Sequence, residues 1–320
     1  MLHSKYLALR TVPPYEELNH SRYLAAPGGV CPPLDEKDQR ALDHLFDPLV
    51  PGDVLEIGSH LGGDIHALQT ATKRHRKTVF FSEVSPPQVV RFIQHTGEKA
   101  TVVDLTVLDL KGIPDSVSIL FAKNVASCVD FPAALAAISR WINAGKDRMV
   151  IFYDTFGLDL HYLPYAYPQF SDRYISARDD SPTINLLDAK TVLRRIALGQ
   201  DLYGWPPFSL DRPAGVSLTA HVNAYAYGLE IQGEPRFSTP TKTALELVIA
   251  ALYDSTPDDG KPISDLAKEM DVPLPPGLPQ PKASDLFEAI FKKEAGRHGL
   301  NTVTGAYPGV SAHITVVAKG

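Results

Sequence analysis

The stretch from Asp53 to Asp64, DVLEIGSHLGGD, constrains the chain more than any other. A short apolar run, Val54-Leu55-Glu56-Ile57, ends in a glycine-bearing turn, Gly58-Ser59-His60-Leu61-Gly62-Gly63. An amphipathic stretch follows, with Ile65, Ala67, Leu68 and Ala71 on its apolar side. That order predicts strand, tight turn, helix. Glycines at such a turn permit positive φ and let a ligand approach the backbone closely. The start of the helix beyond offers unpaired N–H groups and a partial positive charge.

The same unit recurs downstream. Lys77 to Ser85, KTVFFSEVS, reads as a second strand that ends at Glu83, 27 residues after Glu56. That is the length of one strand–helix–strand unit. Ser85-Pro86-Pro87 starts a helix, with Ser as cap and Pro in the first turn. Ala100 to Leu105 is a third strand, with Asp104 at its end and Asp109 beyond it. Ser116 to Ala122, SVSILFA, is nearly all apolar, as a central parallel strand should be, and it runs into Lys123 and Asn124. Phe131 to Trp141 is helical by its apolar spacing. Arg148 to Tyr153 is a fifth strand, with Asp154 at its carboxyl end. A helix over LDEKDQRALDHLFDPLV, residues 34–50, precedes the first strand. Glu56, Glu83, Asp104, Asn124 and Asp154 thus all fall at expected carboxyl ends of strands, the edge where open α/β sheets bind ligands.

The alternation then stops for about 130 residues. It resumes with a helix from Ser284 to Arg297, a short strand from Leu300 to Val303, and a closing strand from Ala312 to Ala318. The chain therefore divides into an N-terminal arm (1–34), an α/β core (35–156), an insertion (157–282) and C-terminal elements of the core (283–320). The insertion is crowded with aromatics, among them Tyr162, Tyr165, Tyr174, Trp205 and Phe208. It reads as a lid whose aromatics line a pocket for an apolar or aromatic small molecule, or else form the lid's own small core. Helices are expected over Thr183 to Leu198, Thr241 to Tyr253 and Ile263 to Met270, while Ser217 to Ile231 reads as strand or helix.

Composition narrows the functional classes. The net charge of −6 gives no reason to expect nucleic-acid binding. No apolar run approaches the roughly 20 residues of a membrane span. Two cysteines far apart exclude a disulfide scaffold and a Cys-rich zinc site, and fit a reducing cytoplasm. The 11 histidines form no HExxH or Cys/His cluster, so no metal is expected. No GxSxG elbow or Walker loop is present.

Glu56, Gly58 and Gly62, acidic residue then glycines at the end of a first strand, resemble the first motif of the class I S-adenosylmethionine (SAM) dependent methyltransferases. His60 stands where the family's middle glycine usually lies. The segment IPDSVSILFAKNVASCVDF resembles the family's fourth-strand region, and the final helix and strand pair resemble its closing elements. The resemblance covers about residues 35–156 and 283–320. It implies a Rossmann-like, seven-stranded methyltransferase sheet, with a large lid inserted between the fifth and sixth strands and the last strand antiparallel. It implies SAM as cofactor: Glu83 on the ribose hydroxyls, Asp104 or Asp109 on the adenine amino group, and the turn from Gly58 through Ser59 and His60 to Gly62 under the methionine portion with Glu56. Asn124 would stand beside the methyl-transfer site. The acceptor, a small molecule methylated on oxygen, nitrogen or carbon, would lie near Asp154, Tyr153, Tyr162 and Tyr165. His161, or His221 from the lid, is the candidate base, since neutral imidazole is available near pH 7. Two alternatives stand beside this reading. One is a SAM-fold protein without methyl transfer, either a binding subunit or an enzyme using the cofactor otherwise, motivated by His60. The other is an NAD(P)-dependent oxidoreductase, although Gly58-x-x-x-Gly62-Gly63 does not match GxGxxG.

Overall fold

The computed structural model describes residues 34, 36–46, 51–59, 62–105, 107–123, 125, 131–154, 163–176, 181–212, 217–219, 221–222, 225, 260–306 and 313–320. Contacts separate the chain into two compact units. Among the described residues, the first takes those up to 154 and those from 290 onward, and the second takes 163–289.

The first unit alternates strand and helix as the apolar periodicity dictates. Helix α1 (Glu36–Leu45) is followed by β1 (Asp53–Ile57), α2 (Ile65–Arg74), β2 (Val79–Glu83), α3 (Pro86–Thr96) and β3 (Ala100–Val102). Then come β4 (Val117–Lys123), α4 (Phe131–Asn143) and β5 (Met149–Asp154). The five strands lie in the order β3-β2-β1-β4-β5, all neighbours parallel. Two strands that follow the insertion, β9 (Leu300–Ala306) and β10 (His313–Lys319), pair antiparallel, and β10 lies alongside β5, extending the sheet to seven strands. This is the mixed, mostly parallel arrangement that the methyltransferase resemblance implied.

Residues two apart in a strand share a face. Ile151 and Tyr153 of β5 join Val54, Phe81, Ile119 and Phe121 in one buried cluster with Leu42 of α1, Phe46 just past it and Leu68 of α2. The alternate residues Val150 and Phe152 are buried as well, with Phe152 packed 6.5 Å from Phe291. A sheet covered on both faces explains why β4 is buried along its whole length. Each fully buried phenylalanine contributes about 1.5–3 kcal/mol through removal from water.

The second unit holds α5 (Leu163–Ala166), β6 (Arg173–Ser176), β7 (Thr183–Asp188), α6 (Ala189–Tyr203), β8 (Gly260–Pro262) and α7 (Ile263–Glu269), and α8 (Ala283–Arg297) carries the chain back into the first. Here the expected helix over Thr183 to Leu198 is corrected. Its first six residues form the central strand of a three-stranded antiparallel sheet, β6-β7-β8. Thr183 and Ile184 are β-branched and suit a strand, and Asp188 ends it. The Asp188 carboxylate accepts the Thr191 N–H at 2.9 Å, so the helix begins only at Ala189. Tyr174, Trp205 and the partly buried Phe208 join Leu187, Val192 and Ile196 in this unit's own core. Of Ser217 to Ile231, the described residues 218–219, 221–222 and 225 are helical. The helix expected over Thr241 to Tyr253 lies outside the described residues. Among the described residues no helix is long and apolar enough to cross a membrane.

Candidate functional site

The carboxyl edge of the parallel sheet gathers most of the buried charge of the first unit. Strand β1 ends at Ile57, and the chain turns at Gly58 with φ +70°. The N–H groups of Gly58 and Ser59 both donate to the Ser82 carbonyl, at 3.1 and 3.0 Å. In return the Ser82 hydroxyl donates to the Glu56 carbonyl at 2.7 Å, and the Ser82 N–H to the Ser59 hydroxyl oxygen at 3.2 Å. Four hydrogen bonds thereby fasten the turn to β2. Gly62 follows with φ +74°, its N–H donating to the Ser59 carbonyl at 2.9 Å. A Cβ on Gly62 would stand 2.5 Å from the Thr96 Cγ2, so both its dihedral and its surroundings require glycine.

Two carboxylates flank this turn. Glu56 of β1 is 2% exposed and Glu83, the last residue of β2, is 6% exposed. Because Ile57 pairs with Ser82 in parallel register, Glu83 comes level with Gly58. Glu56 has its pKa pushed up to about 8. Burial is the main cause, and the negative charges of Asp64 and Glu83 add to it, while the Ser59 hydroxyl and the Lys123 ammonium oppose it. The Glu56 Oε2 is buried and has no hydrogen-bond partner among the described residues.

Lys123 and Asp64 complete the cluster, and sequence reasoning placed neither there. Strand β4 runs one residue further than the sequence suggested, so Lys123 ends the strand instead of opening a loop. Its ammonium donates to both oxygens of Asp64 at 2.9 Å. Asp64 also accepts the Leu34 N–H at 2.8 Å, and it makes no side-chain cap on α2, the helix it precedes. One signal was available. A lysine that closes a nearly all-apolar strand is buried with it, and a buried ammonium needs a carboxylate.

Asp104 lies half-buried just past β3, which stops at Val102. Asp109 is exposed and pairs with Arg140 of α4 at 3.1 Å. Tyr153 is wholly buried, and its hydroxyl donates to the Asp38 carboxylate of α1. Asp154 is the last residue of β5. Tyr165 lies within α5. His60, Asn124, His161 and Tyr162 lie outside the described residues. His221, in the second unit, donates from Nε2 to the Ser209 carbonyl at 2.6 Å, and its buried Nδ1 has no hydrogen-bond partner among the described residues. Burial holds its pKa below the ordinary imidazole value, so the ring is neutral at physiological pH.

The acceptor groups at the sheet edge suit a nucleoside that carries a positive charge. A buried terminal carboxylate on β2 has the two acceptor oxygens a ribose diol needs. The glycine turn leaves its backbone approachable, and the orphaned Glu56 oxygen is an acceptor awaiting a donor.

No family model matches the sequence, and no curated protein matches it. Among solved structures, the chain is similar to a putative Zn-dependent alcohol dehydrogenase from Rhodobacter sphaeroides, at 9% identity and TM-score 0.43, covering 97% of this chain and 99% of that one. It is similar to a SAM-dependent methyltransferase from Bacteroides fragilis in complex with S-adenosyl-L-homocysteine, at 10% identity and TM-score 0.37, covering 87% and 77%. It is also similar to a mitomycin 7-O-methyltransferase, at 12% identity and TM-score 0.35, covering 89% of this chain and about half, 54%, of the other. What the site can do is therefore read from its own residues and strand order.

Proposed function

We propose that the chain is a SAM-dependent methyltransferase acting on a small molecule. The observation that carries this is the pairing, at the carboxyl edge of a β3-β2-β1-β4-β5 sheet, of a positive-φ glycine turn with two buried carboxylates on adjacent strands. Glu83 would accept both ribose hydroxyl protons, its burial fixing the rotamer in which two oxygens face one diol. Asp104, half-buried just past β3, would take the adenine amino group, while Asp109 lies further along the chain and is exposed. The backbone from Gly58 to Gly62 would lie beneath the methionine portion, with Glu56 next to it. SAM bound there supplies a methyl group on a sulfonium sulfur.

The chain's own task is then to align an acceptor and to exclude water, which can account for much of the rate in such a displacement. The chain leaves the sheet just after Asp154, at the carboxyl end of β5, and the segment 157–282 follows. Tyr162 and Tyr165 open that segment and are assigned to the acceptor. Tyr153 is reassigned to the core, since its hydroxyl is held by Asp38. Where the acceptor must lose a proton, His161 and Asp154 are the assigned groups, and the neutral His221 ring is the reserve.

Incubation with SAM and a panel of phenols, amines and acidic carbon compounds tests this. The expected result is S-adenosylhomocysteine formed in step with an acceptor that gains one methyl group, and loss of both with Glu83→Ala. SAM binding without turnover on any acceptor class would leave a cofactor-binding protein and refute the transferase.

A further inference from the structure

Among the described residues, the carboxylates at the sheet edge outnumber the cations that face them. Glu56 is acted on by Ser59 from the turn, Glu83 from β2, Asp64 from the start of α2 and Lys123 from β4. With Glu56 itself, on β1, these groups make three carboxylates and one ammonium. That ammonium is already committed, since it sits 2.9 Å from both oxygens of Asp64, with Lys123 only 4% and Asp64 14% exposed. Glu56 is left buried, with Oε2 unpartnered. An unpaired carboxylate in such a place keeps its proton unless another cation reaches it.

We propose that ligand binding here is an exchange of cations: the ammonium-bearing end of the cofactor takes the place of the proton on Glu56, and that proton leaves to the solvent. The balance is simple. A neutral carboxylic acid plus a cationic ligand becomes a carboxylate–cation pair plus one free proton, with no bond other than O–H broken. The Lys123–Asp64 pair sets the exchange by neutralising Asp64, so that the incoming cation meets one new carboxylate and not two. The proposal rests on the SAM reading. It adds a consequence that reading does not require: affinity that rises with pH until Glu56 ionises in the free protein, at about 8.

Calorimetric titration of the full chain tests it. SAM, S-adenosylhomocysteine and adenosine are each titrated near neutral pH, in two buffers of equal pH but different ionisation enthalpy. The expected result is release of about one proton per ligand for SAM and S-adenosylhomocysteine, which share the ammonium, and none for adenosine, which lacks it. Glu56→Gln, a near-isosteric copy of the protonated acid, is expected to bind SAM and S-adenosylhomocysteine more weakly than the parent and to release no proton with any of the three. Equal heats in the two buffers with binding intact would overturn the exchange and leave the cofactor reading standing. Release with adenosine as well, or release that survives in Glu56→Gln, would place the proton elsewhere and overturn it too. Failure of all three ligands to bind would overturn both.

Discussion

Glu56 shows how one residue ties stability to function. Its carboxyl is pushed up to about 8 in the folded chain, against 4.5 for the group exposed. The folded state therefore holds more protons than the unfolded state between these values. The linkage slope is then negative, so stability present at low pH is lost as pH rises from about 4.5 toward 8. Without ligand, Glu56→Gln is expected to be more stable than the parent at pH 8, by on the order of a few kcal/mol, and nearly equal to it at pH 5. Melting temperatures across this pH window measure the difference, and parallel curves for the two proteins would exclude a buried, protonated Glu56. Lys123 is the complementary case. Removing one member of a buried ion pair strands the other, so Lys123→Met is expected to cost about 3–5 kcal/mol in denaturant unfolding. A loss below about 1 kcal/mol would mean that the pair is solvated as a surface pair is.

At the scale of elements, the glycine turn is fixed by backbone geometry. Gly62→Ala must hold φ at +74° and place a methyl 2.5 Å from Thr96, and it is expected to destabilise the chain by more than 1 kcal/mol, roughly the cost of strain at one residue. It should weaken cofactor binding in proportion, and a variant as stable and as tightly binding as the parent would show that the turn does not frame the ligand. Asp188→Ala should cost about 1 kcal/mol by removing the cap of α6. The five parallel strands were legible in the sequence because each is a short apolar run with turn residues around it, and the carboxyl-edge positions of Glu56 and Glu83 followed from where those runs stop. Strand β7 was not legible. Its apolar residues, Ile184, Leu186 and Leu187, continue into the apolar spacing of α6, and only Asp188 marks the boundary. Lys123 and Asp64 were missed for a different reason. Neither belongs to a spacing pattern, and their pairing depends on β4 and the start of α2 meeting across 59 residues of chain.

At the scale of the whole molecule, the chain leaves the sheet after β5 and closes it again with β9 and β10. The two β-strands at the far end of the sequence, Leu300–Ala306 and His313–Lys319, thus belong to the first unit. That long return was readable, since a helix and two strands at the end of the chain had no other sheet to complete. The packing inside the insertion was not, because aromatics such as Trp205 serve a small core or a pocket with the same residue types. Gly199 records the outcome: a Cβ there would meet the Trp205 ring at 2.0 Å, so glycine in α6 is what lets the indole bury. The central claim concerns the edge where the strands of the first unit end. It is tested most directly by calorimetric titration of the purified chain with SAM and S-adenosylhomocysteine, beside Glu83→Ala. The expected result is micromolar binding of both by the parent, weakened about 10- to 100-fold in the variant by loss of charged hydrogen bonds to the ribose. No binding of either ligand by a folded parent would contradict the account.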